Sequence, residues 1–200
     1  MSPNKIVITG TIASGKSTLI NLIKEKGYIV ISADEVNKNL LEFGKANYEA
    51  IKSSSEFDQA FDEDKLDKMK LAKIIFSNKE KLIKLNSLTH RNILDEIDQR
   101  VNKSDKDVVF IEIPLYFQME EKYKADEVWL VVADIEKQIS RLMTRDGIDS
   151  DYAKSKIETQ IDLIRMKSEA DVVFDNSNSI SELKTQLEKV LKNKDLLWKY

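Results

Sequence analysis

The chain contains no cysteine. That excludes disulfides, thiolate metal sites and a cysteine nucleophile, and it fits a reducing compartment. Histidine is nearly as scarce. His90 stands alone, which argues against a histidine-rich metal centre. Only two prolines and five glycines occur in 200 residues, so helices joined by short connections are expected rather than long irregular segments. Positive charge is in slight deficit, with a formal net charge of −3, whereas a general nucleic-acid binder would be basic. No apolar run approaches the length of a membrane span. The start of the chain lacks a basic segment followed by an apolar run and a small-residue cleavage site, so no signal peptide is expected. The expectation is a cytoplasmic protein with neither membrane nor nucleic acid as partner, and nothing in the sequence implies an obligate protein partner. A chain of this length buries about 70% of its unfolded surface, enough for one domain with an inserted subdomain.

With glycine so rare, the pair in Gly10-Thr11-Ile12-Ala13-Ser14-Gly15-Lys16-Ser17 stands out. The stretch fits G-x-x-x-x-G-K-[ST]. Ile6-Val7-Ile8-Thr9 in front of it is apolar and β-branched and reads as a buried strand. Behind it, Leu19, Ile20, Leu22 and Ile23 recur at helical spacing. Strand, loop and helix in that order form the context of a phosphate-binding loop. Its backbone N–H groups must converge on phosphate oxygens, which needs a tight turn free of side chains, and Gly10 and Gly15 allow that. The helix points its positive end at the same phosphates. Lys16 can reach the β- and γ-phosphates, and Ser17 can ligate Mg²⁺. A nucleoside triphosphate site follows.

Gly27 reads as the stop of the first helix, and Tyr28-Ile29-Val30-Ile31 as a second strand. Ser32-Ala33-Asp34-Glu35 then opens a helix continued by Val36, Leu40 and Leu41. Asp34 is thus expected at the ligand-facing edge of a parallel sheet; the alternative is a helix cap, for which Ser32 is better placed. Residues 43–104 show no clear strand. Gly44 and Ser53-Ser54-Ser55 break the pattern, and helices are expected over Leu66–Phe76 and Lys79–Val101. So long a helical stretch between strands exceeds a simple crossover and reads as an insertion covering an acceptor substrate, or else as a plain helical layer.

Val108–Ile113 has the nearly continuous apolar character of a central parallel strand, interrupted by Glu112 and ended by Pro114. Glu112 can serve Mg²⁺ or its waters, or be a carboxylate satisfied by neighbouring donors. Asp126–Ala133 is the next strand. A helix opens at or just after Asp134, and Arg141 and Arg145, four apart, share one face of it. With the break at Asp146-Gly147 they suit a mobile lid that brings charge to a phosphoryl group, or else a solvated basic face paired with Asp146. Ser150–Ile164 is expected to be helical. Asp171–Phe174 reads as a last strand, Asp175-Asn176-Ser177 as a turn, and Ile180–Leu191 as a final helix. Leu196-Leu197-Trp198 forms a docked or a frayed tail.

Strands alternating with helices make an α/β three-layer fold with a parallel sheet. Asn102-Lys103-Ser104-Asp105 matches the guanine motif N-K-x-D, but it precedes a strand instead of following one, and no D-x-x-G occurs. A GTPase switch is therefore disfavoured. A small kinase of a hydroxyl substrate needs an ATP loop, Mg²⁺, an aspartate to orient or deprotonate the acceptor, and lid arginines. Lys16 and Ser17, Asp34, and Arg141 with Arg145 are the candidates. A kinase of shikimate, gluconate or a nucleoside, or a nucleotide-binding protein without transfer activity, are the alternatives.

Taken in order, these motifs resemble the dephospho-coenzyme A kinase family over almost the whole chain. Thr9 to Thr18 is similar to the family's T-G-G-I-G-S-G-K-S-T. Ser32-Ala33-Asp34-Glu35 resembles its D-A-D segment, Ile113-Pro114-Leu115-Tyr116-Phe117 its V-P-L-L-F, and Arg141 to Gly147 its R-L-x-x-R-D-G. Gln160 and Asp175-Asn176-Ser177 match a later Q and the D-N-S turn. The resemblance implies ATP-dependent phosphorylation of the ribose 3′-hydroxyl of dephospho-coenzyme A, with Mg²⁺ accompanying ATP. It implies ATP binding by Gly10, Ala13, Ser14, Gly15, Lys16, Ser17, Thr18, Arg141 and Asn176, the last near the adenine. Asp34 becomes the catalytic base, assisted by Lys16, Arg141 and Arg145. Asp34, His90, Pro114, Leu115 and Phe117 become acceptor contacts, and Ser17 and Glu112 the metal side. The implied organisation is a core of about 1–34, 105–140 and 168–200, a helical acceptor domain of about 35–104, and a lid of about 141–167.

This sequence departs from the family pattern in places. Thr11 and Ala13 replace loop glycines; Ala13 is tolerable at negative φ, which leaves Thr11 as the larger steric question. His90-Arg91 replaces H-P, so that helix should run straight through, and the acceptor role of His90 becomes questionable. Gln118 stands where the family has Glu, and Asp151–Met166 differs widely.

Overall fold

The structure, a computed structural model, describes residues 3–159, 162–194 and 196. Gln160 and the tail residues Leu197 and Trp198 lie outside the described residues. The chain forms two compact units, residues 1–30 with 104–200, and residues 31–103.

The first unit is built on β1 (Asn4–Gly10), α1 (Lys16–Glu25) and the start of β2 (Ile29–Ser32), a strand divided by the unit boundary after Val30. The second unit runs through α2 (Ala33–Leu40), α3 (Ala46–Lys52), a 3-10 turn over Ser55–Ala60, β3 (Phe61–Asp62), β4 (Lys65–Leu66), α4 (Lys68–Phe76) and α5 (Lys79–Lys103). The chain then returns to the first unit through β5 (Val108–Glu112), β6 (Glu127–Val132), α6 (Ile135–Asp146), α7 (Ser150–Glu158), α8 (Leu163–Glu169), β7 (Val172–Asp175) and α9 (Ile180–Asn193).

The five-stranded sheet has the order β2-β5-β1-β6-β7. β1 pairs in parallel with β5 and with β6, and β6 with β7. The strand that feeds the phosphate loop is therefore the central one. Ile6, Ile8, Phe110, Trp129, Val131 and Phe174 face Leu19, Ile23, Leu183 and Leu187 of α1 and α9 in one core. Their strand neighbours Val7, Val109, Ile111 and Leu130 are also fully buried, so both sheet faces are covered and the strand sequences need no polar alternation. Rings tie the strands laterally: Phe110 to Trp129 at 5.1 Å and Trp129 to Phe174 at 5.3 Å, each pair adding about 0.5–1.5 kcal/mol beyond burial.

The second unit has its own core of Ile51, Phe57, Ala60 and Leu71, flanked by Ile74, Leu85 and Leu88. α5 runs unbroken through His90 and Arg91, as the absence of proline requires. Two expectations are corrected here. Residues 43–104 do contain strands: β3 and β4 form an antiparallel hairpin, Phe61 opposite Leu66. Each is two residues long, too short for alternation to register. Its turn passes through Glu63 at φ 56°, so the glycine or asparagine that usually marks such a turn is missing. The expected helix Ser150–Ile164 is two helices. α7 ends at Glu158, and Asp162 starts α8 by accepting from the Ile164 N–H at 2.8 Å, a new cap inside an apparently continuous pattern.

α2 carries a proposed functional residue on a short helix that packs on α5 and α3. Eight residues are marginal for a helix on its own. Val36 is its only buried side chain, a contribution of about 1.5–3 kcal/mol.

Candidate active site

The phosphate loop closes on β6 and on itself. The Thr11 N–H donates to the Val131 carbonyl at 3.1 Å, and the Ser14 N–H to the Thr11 carbonyl at 3.1 Å. A Cβ at Gly10 would lie 2.8 Å from Ser14 Oγ and 2.9 Å from the Val131 carbonyl oxygen, closer than packed atoms allow, so only glycine fits. Gly15, at φ 84°, is the N-cap of α1. A side chain there would be strained and would run into the Asn176 amide.

The steric question falls on Ala13, not Thr11. Ala13 sits at φ 54°, whereas Thr11 is outside the left-handed region. The negative φ that would have made Ala13 harmless is not what the loop adopts, because the turn into Gly15 uses a left-handed step that alanine makes at a cost of about 1–2 kcal/mol. The loop also buries two hydroxyls, Thr11 Oγ1 and Ser14 Oγ, without hydrogen-bond partners among the described residues. Strain and unmet polar groups of this kind collect at functional loops.

Arg141 and Asn176 hold the loop from behind. Arg141 Nη1 donates to the Ser14 carbonyl at 3.1 Å and the Ala13 carbonyl at 3.5 Å, and its Nη2 donates to the Asn176 carbonyl at 2.8 Å. Asn176 Nδ2 donates to the Ser14 carbonyl at 2.8 Å. A trans peptide points its C=O and N–H in opposite directions. Fixing the Ser14 carbonyl therefore aims the Gly15 N–H away from Arg141, on the side of the first-turn donors at Lys16 and Ser17. Those donors have no carbonyl one turn back in the helix. The product is a backbone concavity for an anion.

Lys16 Nζ forms an ion pair with Glu112, both side chains under a fifth exposed at 17% and 19%. Glu112 ends β5 opposite Ile8 of β1, so the donor that satisfies this carboxylate is Lys16. Ser17 exposes its hydroxyl, and the Thr18 N–H closes the first turn onto the Gly15 carbonyl at 2.9 Å. Among the described residues no group of three or more His, Cys, Asp or Glu forms a metal cluster. Ser17 and Glu112 are oxygen donors, which fits Mg²⁺ held mainly by phosphates with one or two protein ligands.

The two arginines of α6 part company. Arg141 reaches the loop, while Arg145, 60% exposed, lies on Asp146 at 2.7 Å, and Lys156 joins that carboxylate at 3.3 Å. The Arg145 guanidinium, with Lys156 behind it, holds the Asp146 carboxyl below the usual carboxylate range.

The acceptor candidates come from α2, α5 and the segment that follows β5. Asp34 is the second residue of α2, exposed, with no ion-pair or hydrogen-bond partner for its carboxylate among the described residues. Ser32 occupies the N-cap position but its side chain makes no cap bond. Neither residue is therefore spent on capping. His90 is exposed on α5. The Pro114 carbonyl accepts from Thr9 Oγ1 at 3.2 Å, and Leu115 is 57% exposed. Phe117 is buried edge-to-face against Tyr116, so its ring is withdrawn from the surface. Sequence reasoning missed the backing of the loop by Arg141 and Asn176, because a backbone carbonyl acceptor leaves no residue signature.

A glycine-bounded phosphate cradle on the central strand of a parallel sheet, with a lysine at its mouth, defines the P-loop nucleotide-binding class. The family model for dephospho-CoA kinase matches residues 5–182. The chain belongs to the dephospho-CoA kinase family, the kinases of the last step of coenzyme A biosynthesis. It is 36% identical over 198 residues to the dephospho-CoA kinase of Carboxydothermus hydrogenoformans, covering 98% of this chain and 94% of that one. It is 35% identical over 197 residues to that of Oryza sativa, covering 96% and 86%. Among solved structures, the dephospho-CoA kinase of Campylobacter jejuni superposes with a TM-score of 0.63 at 30% identity over 96% of this chain and 97% of that one. A Thermus thermophilus crystal structure does so at 0.81 and 28% identity over 96% and 98%.

Proposed function

We propose that this kinase transfers the γ-phosphoryl group of ATP to the ribose 3′-hydroxyl of dephospho-coenzyme A. The observation that carries the reading is the preformed cradle, with the Ser14 carbonyl pinned from behind by Arg141 and Asn176, in a chain of this family. The cradle holds the triphosphate through the N–H groups of Gly15, Lys16 and Ser17. The γ-phosphate offers Lys16 a second anion besides Glu112. Asp34 orients the acceptor hydroxyl and takes its proton while the hydroxyl oxygen bonds to the γ-phosphorus and the bond to ADP breaks. Its exposed carboxylate, without a hydrogen-bond or ion-pair partner among the described residues, is free for that work. Ser17 and Glu112 are the residues that would hold Mg²⁺, which when bound neutralises charge on the β- and γ-oxygens. Residues 35–104 form the acceptor domain and 141–167 the lid. Arg145 serves the transferred group by exchanging Asp146 for phosphate as the lid closes. The setting is the cytoplasm.

The test is ADP release from Mg-ATP with and without dephospho-coenzyme A, with mass detection of coenzyme A. ADP that depends on the acceptor, together with the phosphorylated product, is the expected result. ATP binding without either product would overturn the reading.

A further inference from the structure

The second unit contains a chain of three asparagines that the proposed reaction does not use. Asn47 of α3 is fully buried. Its Nδ2 donates to Asn37 Oδ1 of α2 at 2.9 Å, and its Oδ1 accepts from Asn92 Nδ2 of α5 at 3.0 Å. Asn92 Nδ2 is also 3.2 Å from the Leu88 carbonyl, its own helix one turn back. Each helix of the group thus meets the next through one directional amide contact.

Besides this chain, α2 is held by packing on α5 and α3. It has eight residues, no side-chain cap bond and a single buried apolar residue, Val36. Apolar packing of this kind fixes how deep a helix sits but constrains its rotation less sharply than a directional bond does, since the hydrophobic effect is not directional. A hydrogen bond from a fully buried donor does set rotation, because it weakens steeply away from linearity and leaves a desolvated N–H if broken. Asn37 lies three residues after Asp34, one turn along on the same side of α2. Whatever fixes the azimuth of Asn37 fixes that of Asp34.

We infer that Asn37 is a positioning residue: held by buried Asn47, it sets the rotation of α2 and so the direction in which Asp34 presents its carboxylate. The inference rests on the reading of Asp34 as the base. It gives a buried polar chain a function in the kinase reaction beyond holding helices together.

The experiment compares two variants that leave Asn47 equally unsatisfied. Asn37→Leu orphans its N–H and cuts the tie to α2. Asn92→Leu orphans its carbonyl oxygen and leaves that tie intact. Both should lose a similar amount of thermal stability. Assayed well below either melting temperature, Asn37→Leu should lower kcat roughly ten- to hundredfold, the cost of misplacing a reacting group by about an ångström, and Asn92→Leu by no more than about threefold. The KM for ATP should be unchanged in both. Asn37→Gln keeps an amide oxygen that can accept from Asn47 and adds no charge beside Asp34, so it should recover part of the lost kcat. Equal kcat losses in the two leucine variants, or no recovery with Asn37→Gln, would overturn the inference. Asp34→Asn belongs in the same series. If it kept full kcat, the base reading itself would fall, an outcome distinct from equal losses alongside an inactive Asp34→Asn.

Discussion

The phosphate loop and α2 carry the two proposed ends of the reaction, and they are built in opposite ways. The loop presents backbone. Its glycines are fixed by clash and by φ, and its outer carbonyls are taken by Arg141 and Asn176. α2 presents one exposed side chain, Asp34, on a short helix without a side-chain cap bond. A site made of N–H groups is rigid at every peptide or it is not a site, since donors in a preorganised cradle must already point at the charge. A site made of one carboxylate needs only its helix to hold a rotation. The costs differ accordingly: strain at Ala13 and orphaned hydroxyls in the loop, and a directional amide chain behind α2.

The strongest way to break this contrast is at the two functional groups themselves. Asp34→Asn should cut kcat by about 10² to 10⁴, the range of a general base, with ATP affinity by calorimetry unchanged. Lys16→Met should lose ATP affinity as well as turnover. A matching loss of ATP affinity in Asp34→Asn would mean that the two regions do not divide binding from proton transfer.

Arg141→Ala sharpens the claim that the loop is held from behind. It removes the donor from the Ser14 and Asn176 carbonyls. Charge-assisted bonds of this kind are worth about 1.5–3 kcal/mol, to be read as weaker ATP binding together with a lower melting temperature. Arg141→Lys should not restore either, because an ammonium lacks the fork that spans two carbonyls. A variant with normal stability and only slower transfer would assign Arg141 to the phosphoryl group alone.

Ala13→Gly works in the opposite direction. It relieves the left-handed alanine at φ 54° and should stabilise the protein by about 1 kcal/mol. For a chain of this size that is a rise of roughly 2–4 °C in melting temperature, with kcat no lower than before. No rise would mean that the strain relieved at Ala13 does not exceed the unfolded-state entropy that glycine adds.

These effects also mark how far the sequence could be read. The cradle was legible because its chemistry needs glycine, lysine and serine at fixed spacing, and the strands because both sheet faces are buried. The φ of Ala13 was misread, although the glycine that the family pattern has at that position was the signal for a left-handed step. Arg141 and Arg145 looked equivalent at helical spacing, yet one meets loop carbonyls and the other its neighbour Asp146. The asparagine chain joins residues 45 apart, and an asparagine on a helix reads locally as surface. The break between α7 and α8 was hidden because Asp162 is one of many acids in a charged region.

The smallest expected effect lies in the second unit, where α4, unlike α2, is capped. Asp67 accepts from the Met69 N–H at 2.8 Å and the Lys70 N–H at 3.1 Å. The Lys70 N–H above all, joined by the Met69 N–H and opposed by desolvation, holds the Asp67 carboxyl below the usual aspartate range. A depressed folded-state value means that unfolding takes up protons as the pH falls. The cap's contribution is therefore complete above the ordinary aspartate value and is lost as the pH drops through the lower, folded one. Melting temperature followed from neutral to acid pH should show that increment in the native chain and not in Asp67→Asn, whose amide oxygen still caps but does not titrate. No comparable increment is expected from α2, where Ser32 leaves the helix start uncapped. Ser32→Asp should supply the missing cap and narrow the difference between the two helices, and if it also slowed transfer, freedom at the start of α2 would be part of how Asp34 works.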